Sequence, residues 1–323
     1  MSMHHKTPSP KNERIISFSD ALNEAMHQEM ARDKSIFVYG IENKVFGSLD
    51  GLADKFGADR CFVTPLSEDA MTGFGLGAAL NGMRPIHTHI RIDFLMLAMN
   101  QLVNMMSSYH YGTSGQLSVP LVIRAVVGRG WGQGFQHSKQ LHGLFGQIPG
   151  LKVIMPTSPY DAKGLLISAI RDNNPVLFIE HRWLYWQNGH VPKESYQIEI
   201  GKPNVIRKGE DITIVATSWM NVEAAMAAEH CSLGGCDHEF TTNDYKIKTT
   251  PQKEWMYIVG DENGQRQECP ESDMGHGRHL ILIHECFQER KVIRAGLNRA
   301  EVIALVMYSG PMVCTCALCF FFC

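Results

Sequence analysis

Over the first two-thirds of the chain, short apolar runs alternate with stretches in which apolar residues recur at helical spacing. Ile36–Tyr39, Cys61–Thr64, Pro85–Ile90, Val119–Val127, Lys152–Met155 and Pro175–Glu180 read as strands, several of them closed by Gly or Pro. Between them, Ser17 and Ser19 are N-cap candidates for a helix carrying Leu22, Ala25, Met26 and Met30 on one side. Ala70–Leu80 is small and apolar all round, which predicts a buried helix. Asp93 is placed to cap the next helix, whose Leu95, Met99, Leu102, Val103 and Met106 share a face, and Pro159 opens another that runs to about Arg171. Unbroken strands alternating with helices predict an α/β fold, a parallel sheet covered on both faces. Such sheets bind ligands at the carboxyl ends of their strands. A polar, irregular stretch at 186–200 reads as a linker, after which Asp211–Thr217 and a helix from Asn221 to about Glu229 open a second, smaller α/β unit. The expected organisation is a tail at 1–13, a first domain at 14–185, the linker, and a C-terminal domain at 201–323.

Composition narrows the class without changing this outline. With 323 residues the chain is long enough for two cores, and 44% hydrophobic with 20% charged residues suits a soluble globular protein. A formal net charge of −3 gives no global basic field, so neither nucleic acid nor an anionic membrane is expected as a partner. The start, Met1–Arg14, is polar and unlike a secretory leader, and the longest apolar stretch, Val302–Val313, is interrupted by Ser309, Gly310 and Pro311. The expected compartment is the cytoplasm, or a mitochondrial matrix. Cys61 alone precedes residue 230; the other eight cysteines follow it, marking a change in the character of the sequence rather than a disulfide framework.

Glu68, in Thr64-Pro-Leu-Ser-Glu-Asp-Ala70, stands at a strand-to-helix junction; taken alone, it is well explained as an acid complementing a helix N-terminus. Gly73, Gly75 and Gly77 are a weak match to a dinucleotide loop and fit close packing of a small-residue helix better. Gly128–Gly134 is a glycine-rich loop after a strand, and His137 just beyond it is a candidate acid/base or phosphate-contacting group or, as plausibly, a satisfied surface histidine. His87 and His89 share a strand face, but they and His110 lack a third ligand at suitable spacing; Cys314, Cys316 and Cys319 do not form paired zinc knuckles.

Together these segments resemble the beta subunits of pyruvate and branched-chain 2-oxoacid dehydrogenases, of the transketolase-like superfamily. The resemblance is carried by Thr64–Ala70, Gly73–Leu80, Gly82–Pro85, Asp93–Leu95, Asn100–Asn104, Gly115–Arg124, Gln136–Ser138, Pro149–Ile154, Pro159–Leu165 and Ile170–Pro175, dense from about residue 14 to 228. It implies a pyrimidine-binding domain for thiamine diphosphate. Glu68 would hydrogen-bond the aminopyrimidine ring nitrogen and so promote loss of the thiazolium proton, a role for which an apolar site would raise its pKa. Phe94 would stack on the ring, Leu66 and Ile90 would line its pocket, and His137 would face the substrate or the lipoyl arm. The resemblance also implies structural potassium on backbone carbonyls, here of Leu121, Ala169, Asp172 and Asn174. The superfamily's Gly-Asp-Gly magnesium motif is missing, and Gly260-Asp261-Glu262 does not supply it. An alpha subunit would therefore hold the diphosphate and Mg2+ in an α2β2 heterotetramer, which would work with a lipoyl domain and an acyltransferase core on a small 2-oxoacid.

The chain departs from the family at His87-Thr-His-Ile-Arg-Ile92 and around Trp183, Tyr185 and Trp186, where substrate choice or subunit contacts would change. After about Glu229 the likeness fades; His279–Glu285 recovers one strand, and cysteine-rich sequence runs to Cys323. Real divergence and a shifted reading frame both explain this aberrant C-terminal region, and the pattern favours the second. Three functions stay open: a 2-oxoacid dehydrogenase subunit, a subunit of another split thiamine enzyme such as an acetoin-cleaving or transketolase-type one, or a non-catalytic scaffold chain.

Overall fold

The computed structural model describes residues 14–41, 46–128, 133–208 and 212–232, together with four short strands at 239–242, 245–248, 279–282 and 302–306. The tail 1–13, Arg129–Gly132 of the glycine-rich loop, Gly260–Glu262 and the terminal cysteines lie outside these residues. The chain divides into two compact units, whose described parts are 14–202 and, within Pro203–Met307, the remainder.

The first unit opens with β1 (Ile15–Ser17) and α1 (Phe18–Arg32), where the Ser17 hydroxyl accepts from Asp20 N at 3.0 Å and caps the helix. There follow β2 (Ile36–Gly40), α2 (Leu52–Phe56), β3 (Cys61–Val63), α3 (Glu68–Leu80), β4 (Arg84–His89) and α4 (Ile92–Leu95). Beyond α4 the chain stays helical, with a 3-10 turn at Met96–Ala98 and a π-helical stretch at Asn100–Met106. Next come α5 (Tyr109–Gly112), β5 (Val122–Val127), α6 (His142–Phe145), β6 (Lys152–Ile154), α7 (Pro159–Arg171), β7 (Val176–His181) and β8 (Asn188–His190). Pro159 begins α7 as its spacing predicts, and Ser158 and Asp161 close a reciprocal capping box.

Six strands form one parallel sheet in the order β3-β2-β4-β5-β7-β6, in register Ile86↔Val122 and Val122↔Val176 at its centre. Residues alternate between its faces. Ile123, Ala125 and Val127 join Leu76, Ala79, Ile92, Leu95, Leu102 and Met106 in one apolar core. On the opposite face Arg124, fully enclosed, donates to Glu180 at 2.5 and 2.7 Å and to Ser48 Oγ at 2.9 Å. Tyr185 donates to the same carboxylate at 2.6 Å, and Met26 of α1 lies against the guanidinium.

Four local expectations need correction. β5 begins at Val122, not Val119, because Pro120 has no N–H to give a ladder. Asp93 is not a cap: α4 starts at Ile92 behind Arg91, and the Asp93 carboxylate instead accepts from Lys139 N at 3.1 Å. α3 is not buried all round; only Thr72, Gly75, Leu76 and Ala79 are fully buried, because it packs on the sheet and on the 96–106 stretch and none of the described residues of this unit covers its outer face. Of its glycines only Gly75 is a close approach, since a Cβ there would lie 2.1 Å from Tyr39 Oη. Finally, 186–200 is fastened to the first unit. β8 pairs antiparallel with β1, Lys163 of α7 donates to Pro192 O and Lys193 O, and Ser168 donates to Ile198 O at 2.7 Å.

The second unit holds β9 (Asn204–Arg207), β10 (Ile212–Ala216), α8 (Trp219–Ser232), a hairpin of β11 (Glu239–Thr242) and β12 (Tyr245–Lys248), β13 (His279–Leu282) and β14 (Val302–Val306). Its sheet runs β13-β10-β14-β9, with β10 parallel to both neighbours and β9 an antiparallel edge. Among the described residues no helix is long and apolar enough to cross a membrane.

Candidate functional site

The residues singled out from the sequence follow the carboxyl ends of β3, β4 and β5, where a parallel sheet leaves backbone and helix starts free to meet a ligand. Leu66 lies between β3 and α3 and is 76% exposed. Glu68 is the first residue of α3, half-buried; Thr72 Oγ1 donates to its carbonyl at 2.8 Å and fixes the helix start. Ile90 follows β4 and is half-buried. Phe94, in α4, meets the His137 ring edge-on at a centroid distance of 5.2 Å. The structure thus brings together Phe94 and His137, residues 43 positions apart by number that no sequence pattern links.

His137 is held by its surroundings. Its Nδ1 is 3.0 Å from Gln133 O; a carbonyl only accepts, so Nδ1 carries the proton. Arg182, fully buried just past β7, donates to His137 O at 3.0 Å and to Gln133 Oε1 at 2.9 Å.

Under the Glu68 end of α3 lies a group that the sequence showed as a histidine pair on one strand face and as a departure from the family. His87 and His89 point to the α3 side of the sheet and are fully buried, with their rings 5.4 Å apart and His87 stacked on Tyr39 at 4.6 Å. His89 Nδ1 donates to Arg91 O at 3.1 Å, leaving Nε2 without a protein partner among the described residues. Burial pushes His87 down to about 3, with the nearby His89 adding to the effect. Burial likewise pushes His89 down to about 4, while the Arg91 carbonyl and the Glu68 carboxylate pull it back. Both rings are therefore neutral at pH 7. Among the described residues no group of three or more His, Cys, Asp or Glu could hold a metal ion.

An acid at a helix start, aliphatic residues after two strands of the same sheet, an aromatic face and an orphaned buried imidazole nitrogen are the groups that a flat, apolar ring with polar edges would meet. They fit an aminopyrimidine. Three carbonyls of the implied potassium set are each engaged by one protein donor, and a carbonyl oxygen has a second lone pair. Leu121 O already accepts from Val176 N at 3.0 Å, Ala169 O from Asp172 N at 3.3 Å, and Asp172 O from Arg84 Nη2 at 2.6 Å. Arg84 and Lys152 bring two positive charges to that end of α7, Lys152 pairing with the Asp172 carboxylate.

Residues 14–187 match the family model described as "Transketolase, pyrimidine binding domain", and the chain belongs to that family. Within it, the chain falls among the beta subunits of thiamine-diphosphate-dependent 2-oxoacid dehydrogenases and acetoin oxidoreductases. It is 42% identical over 239 residues to the acetoin:2,6-dichlorophenolindophenol oxidoreductase subunit beta of Cupriavidus necator, covering 70% of this chain and 71% of that one. It is 42% identical over 226 residues to the 2-oxoisovalerate dehydrogenase subunit beta of Bacillus subtilis, covering 68% and 69%. It is 39% identical over 229 residues to the pyruvate dehydrogenase E1 component subunit beta of the same organism, covering 69% and 70%. Among solved structures, a split-gene transketolase described as an inactive beta4 tetramer superposes with a TM-score of 0.55 at 20% identity over 68% of each chain, which shows a shared fold.

Proposed function

We propose that this chain supplies the aminopyrimidine half of a thiamine diphosphate site in the first component of a 2-oxoacid dehydrogenase, carrying out oxidative decarboxylation with acyl transfer to lipoamide. The observation that carries this is the contact of Phe94 with His137, with Glu68 following a strand of the same sheet, within a chain that has the family's pyrimidine-binding domain. Thiamine diphosphate, when bound, supplies a nucleophilic carbon and an electron sink for decarboxylation. Glu68 holds a proton at its carboxyl for the ring nitrogen. Phe94 offers a face for stacking, Leu66 and Ile90 exclude water from the ring, and His137 exchanges a proton on the substrate side. Leu66 is too exposed in this chain to wall off a site by itself. An alpha partner, in an α2β2 assembly, closes the site and holds the diphosphate through Mg2+. A potassium ion on the backbone carbonyls of Leu121, Ala169, Asp172 and Asn174 would be structural and take no part in proton or acyl transfer. Acetoin is a second substrate class to assay, because the chain is 42% identical both to the acetoin-oxidoreductase subunit of Cupriavidus necator and to the 2-oxoisovalerate dehydrogenase subunit of Bacillus subtilis.

The test is the complex co-expressed with its alpha partner and assayed on pyruvate, branched-chain 2-oxoacids and acetoin. Glu68→Gln lowers turnover of the best substrate by about 10²–10⁴-fold, the usual worth of a positioned acid/base group. An unchanged rate in an assembled complex overturns the role of Glu68, and tight binding of thiamine diphosphate and Mg2+ by this chain alone overturns the split site.

A further inference from the structure

The segment that carries His137 is tied down from two directions. Arg182 reaches it from the carboxyl end of β7. One guanidinium nitrogen donates to His137 O at 3.0 Å and the other to Gln133 Oε1 at 2.9 Å, so one planar group grips both ends of a five-residue turn. On the far side the Asp93 carboxylate accepts from Lys139 N at 3.1 Å, and Lys139 Nζ stands 3.7 Å from the same oxygen. Asp93 is the neighbour of Phe94, whose ring meets His137. Inside the turn Gln133 O accepts from His137 Nδ1 at 3.0 Å.

These contacts set one property of His137 that its sequence context does not. With Nδ1 committed as a donor to Gln133 O, the neutral ring has its lone pair on Nε2, and Nε2 is the only nitrogen through which it can take up and return a proton. Losing the grip on Gln133 and His137 would let the turn open, the ring swing off Phe94 and the other tautomer compete. Arg182 itself is fully buried behind the turn, so it acts through His137 and not on a substrate.

We propose that Arg182 is a positioning residue of the site: its two-pronged grip on Gln133 and His137 fixes the His137 ring against Phe94 in the Nδ1–H tautomer, and so presents Nε2 to the acyl acceptor. The proposal rests on the proton-exchanging role given to His137 above. In acyl transfer to a lipoyl group the S–S bond opens. One sulfur takes the acyl group together with the electron pair left by departing carbon dioxide, and the other takes a proton. His137, protonated at Nε2, is placed to give that proton.

Two measurements test this, one independent of activity. The full chain labelled with 15N-histidine, with the His137 signals assigned by their loss in His137→Gln, is expected to show the Nδ1–H tautomer; Arg182→Met is expected to show a tautomer mixture. In the co-expressed complex, acyl transfer to a free lipoyl domain is compared with oxidation by a dye acceptor that needs no lipoyl group. Arg182→Met lowers the ratio of the first rate to the second by about 10²-fold, the cost of roughly 1 Å of misplacement. Arg182→Lys, which keeps the charge but loses the fork, still lowers it at least about tenfold. If Arg182→Met does not fold, the lysine variant decides alone. An unchanged tautomer together with an unchanged ratio overturns the proposal. A wild-type complex inactive in both assays overturns the proposed function instead, and leaves the tautomer measurement to decide the place of Arg182.

Discussion

α3 and α7 are both thirteen residues long and flank the same sheet, yet they end in opposite environments. α3 has no charged residue after its first turn, and only four of its residues are buried; Phe74 is 47% exposed. α7 carries Asp161, Lys163 and Arg171, and eleven of its residues are buried. The more apolar helix is the more exposed one. The difference lies in what covers each. α7 is overlaid by α1 and by the segment 192–198, which Lys163, Ser168 and Arg171 fasten through Pro192 O, Lys193 O, Ile198 O and Ser195 Oγ. Among the described residues nothing in the first unit overlays the outer face of α3, and that face adjoins Glu68. A closed face stabilises this chain; the open apolar face suits assembly with another, as the proposed function requires.

The largest effect that would break this contrast lies on the closed face. Arg124→Met leaves the buried Glu180 carboxylate without its cation, and the unfolding free energy falls by about 3–5 kcal/mol in denaturant titration. A loss of under 1 kcal/mol would mean that this face is not the rigid one. Next, the two helices should answer differently to the same substitution. Gly164→Ala in α7 puts a Cβ 2.6 Å from the Tyr196 ring and 2.7 Å from Ile198, costing about 1–3 kcal/mol. Gly77→Ala in α3 meets nothing within 4 Å in this chain and stabilises it by about 0.5–1 kcal/mol. If the outer face of α3 is an assembly surface, the same change weakens co-purification of the alpha partner. Equal responses of the two variants would remove the distinction.

The smallest effect is a slope with pH. His87 and His89 titrate at about 3 and about 4 in the folded chain and near 6.5 when unfolded. Below 6.5 the unfolded chain binds more protons than the folded one, so stability falls with pH until the folded values are passed. Between pH 7 and 6 the pair should cost about 1 kcal/mol, measured as a lower melting temperature. Asp33, held low chiefly by the Ser35 hydroxyl, works in the same direction but only below about pH 5. His87→Leu with His89→Leu should flatten the slope above pH 5; a wild-type slope in that variant would place the effect elsewhere.

Strands and helices of the first unit were legible because burial on both faces writes unbroken apolar runs, and because Ser158, Pro159 and Gly40 punctuate them. Glu68, Phe94, Leu66 and Ile90 were expected as site residues from the likeness of ordered motifs. His89 was visible as half of a histidine pair without a third ligand and as a departure from the family, and Arg182 not at all. A charged residue after a strand carries no periodic signal, and its partners Gln133 and His137 lie more than forty residues away.

The sequence by itself determined the alternation that makes a parallel sheet, the ends of α1 and α7, the chemistry available at position 68 and the family to which the chain belongs. These depend on neighbours within a turn or two, or on the order of motifs along the chain. Only the tertiary structure decided that α3 keeps an open apolar face, that residues 186–200 belong to the first unit, that two histidines are buried neutral near Glu68, and that Arg182 grips the turn of His137. Each of these depends on which surfaces meet after folding, and local spacing does not encode that.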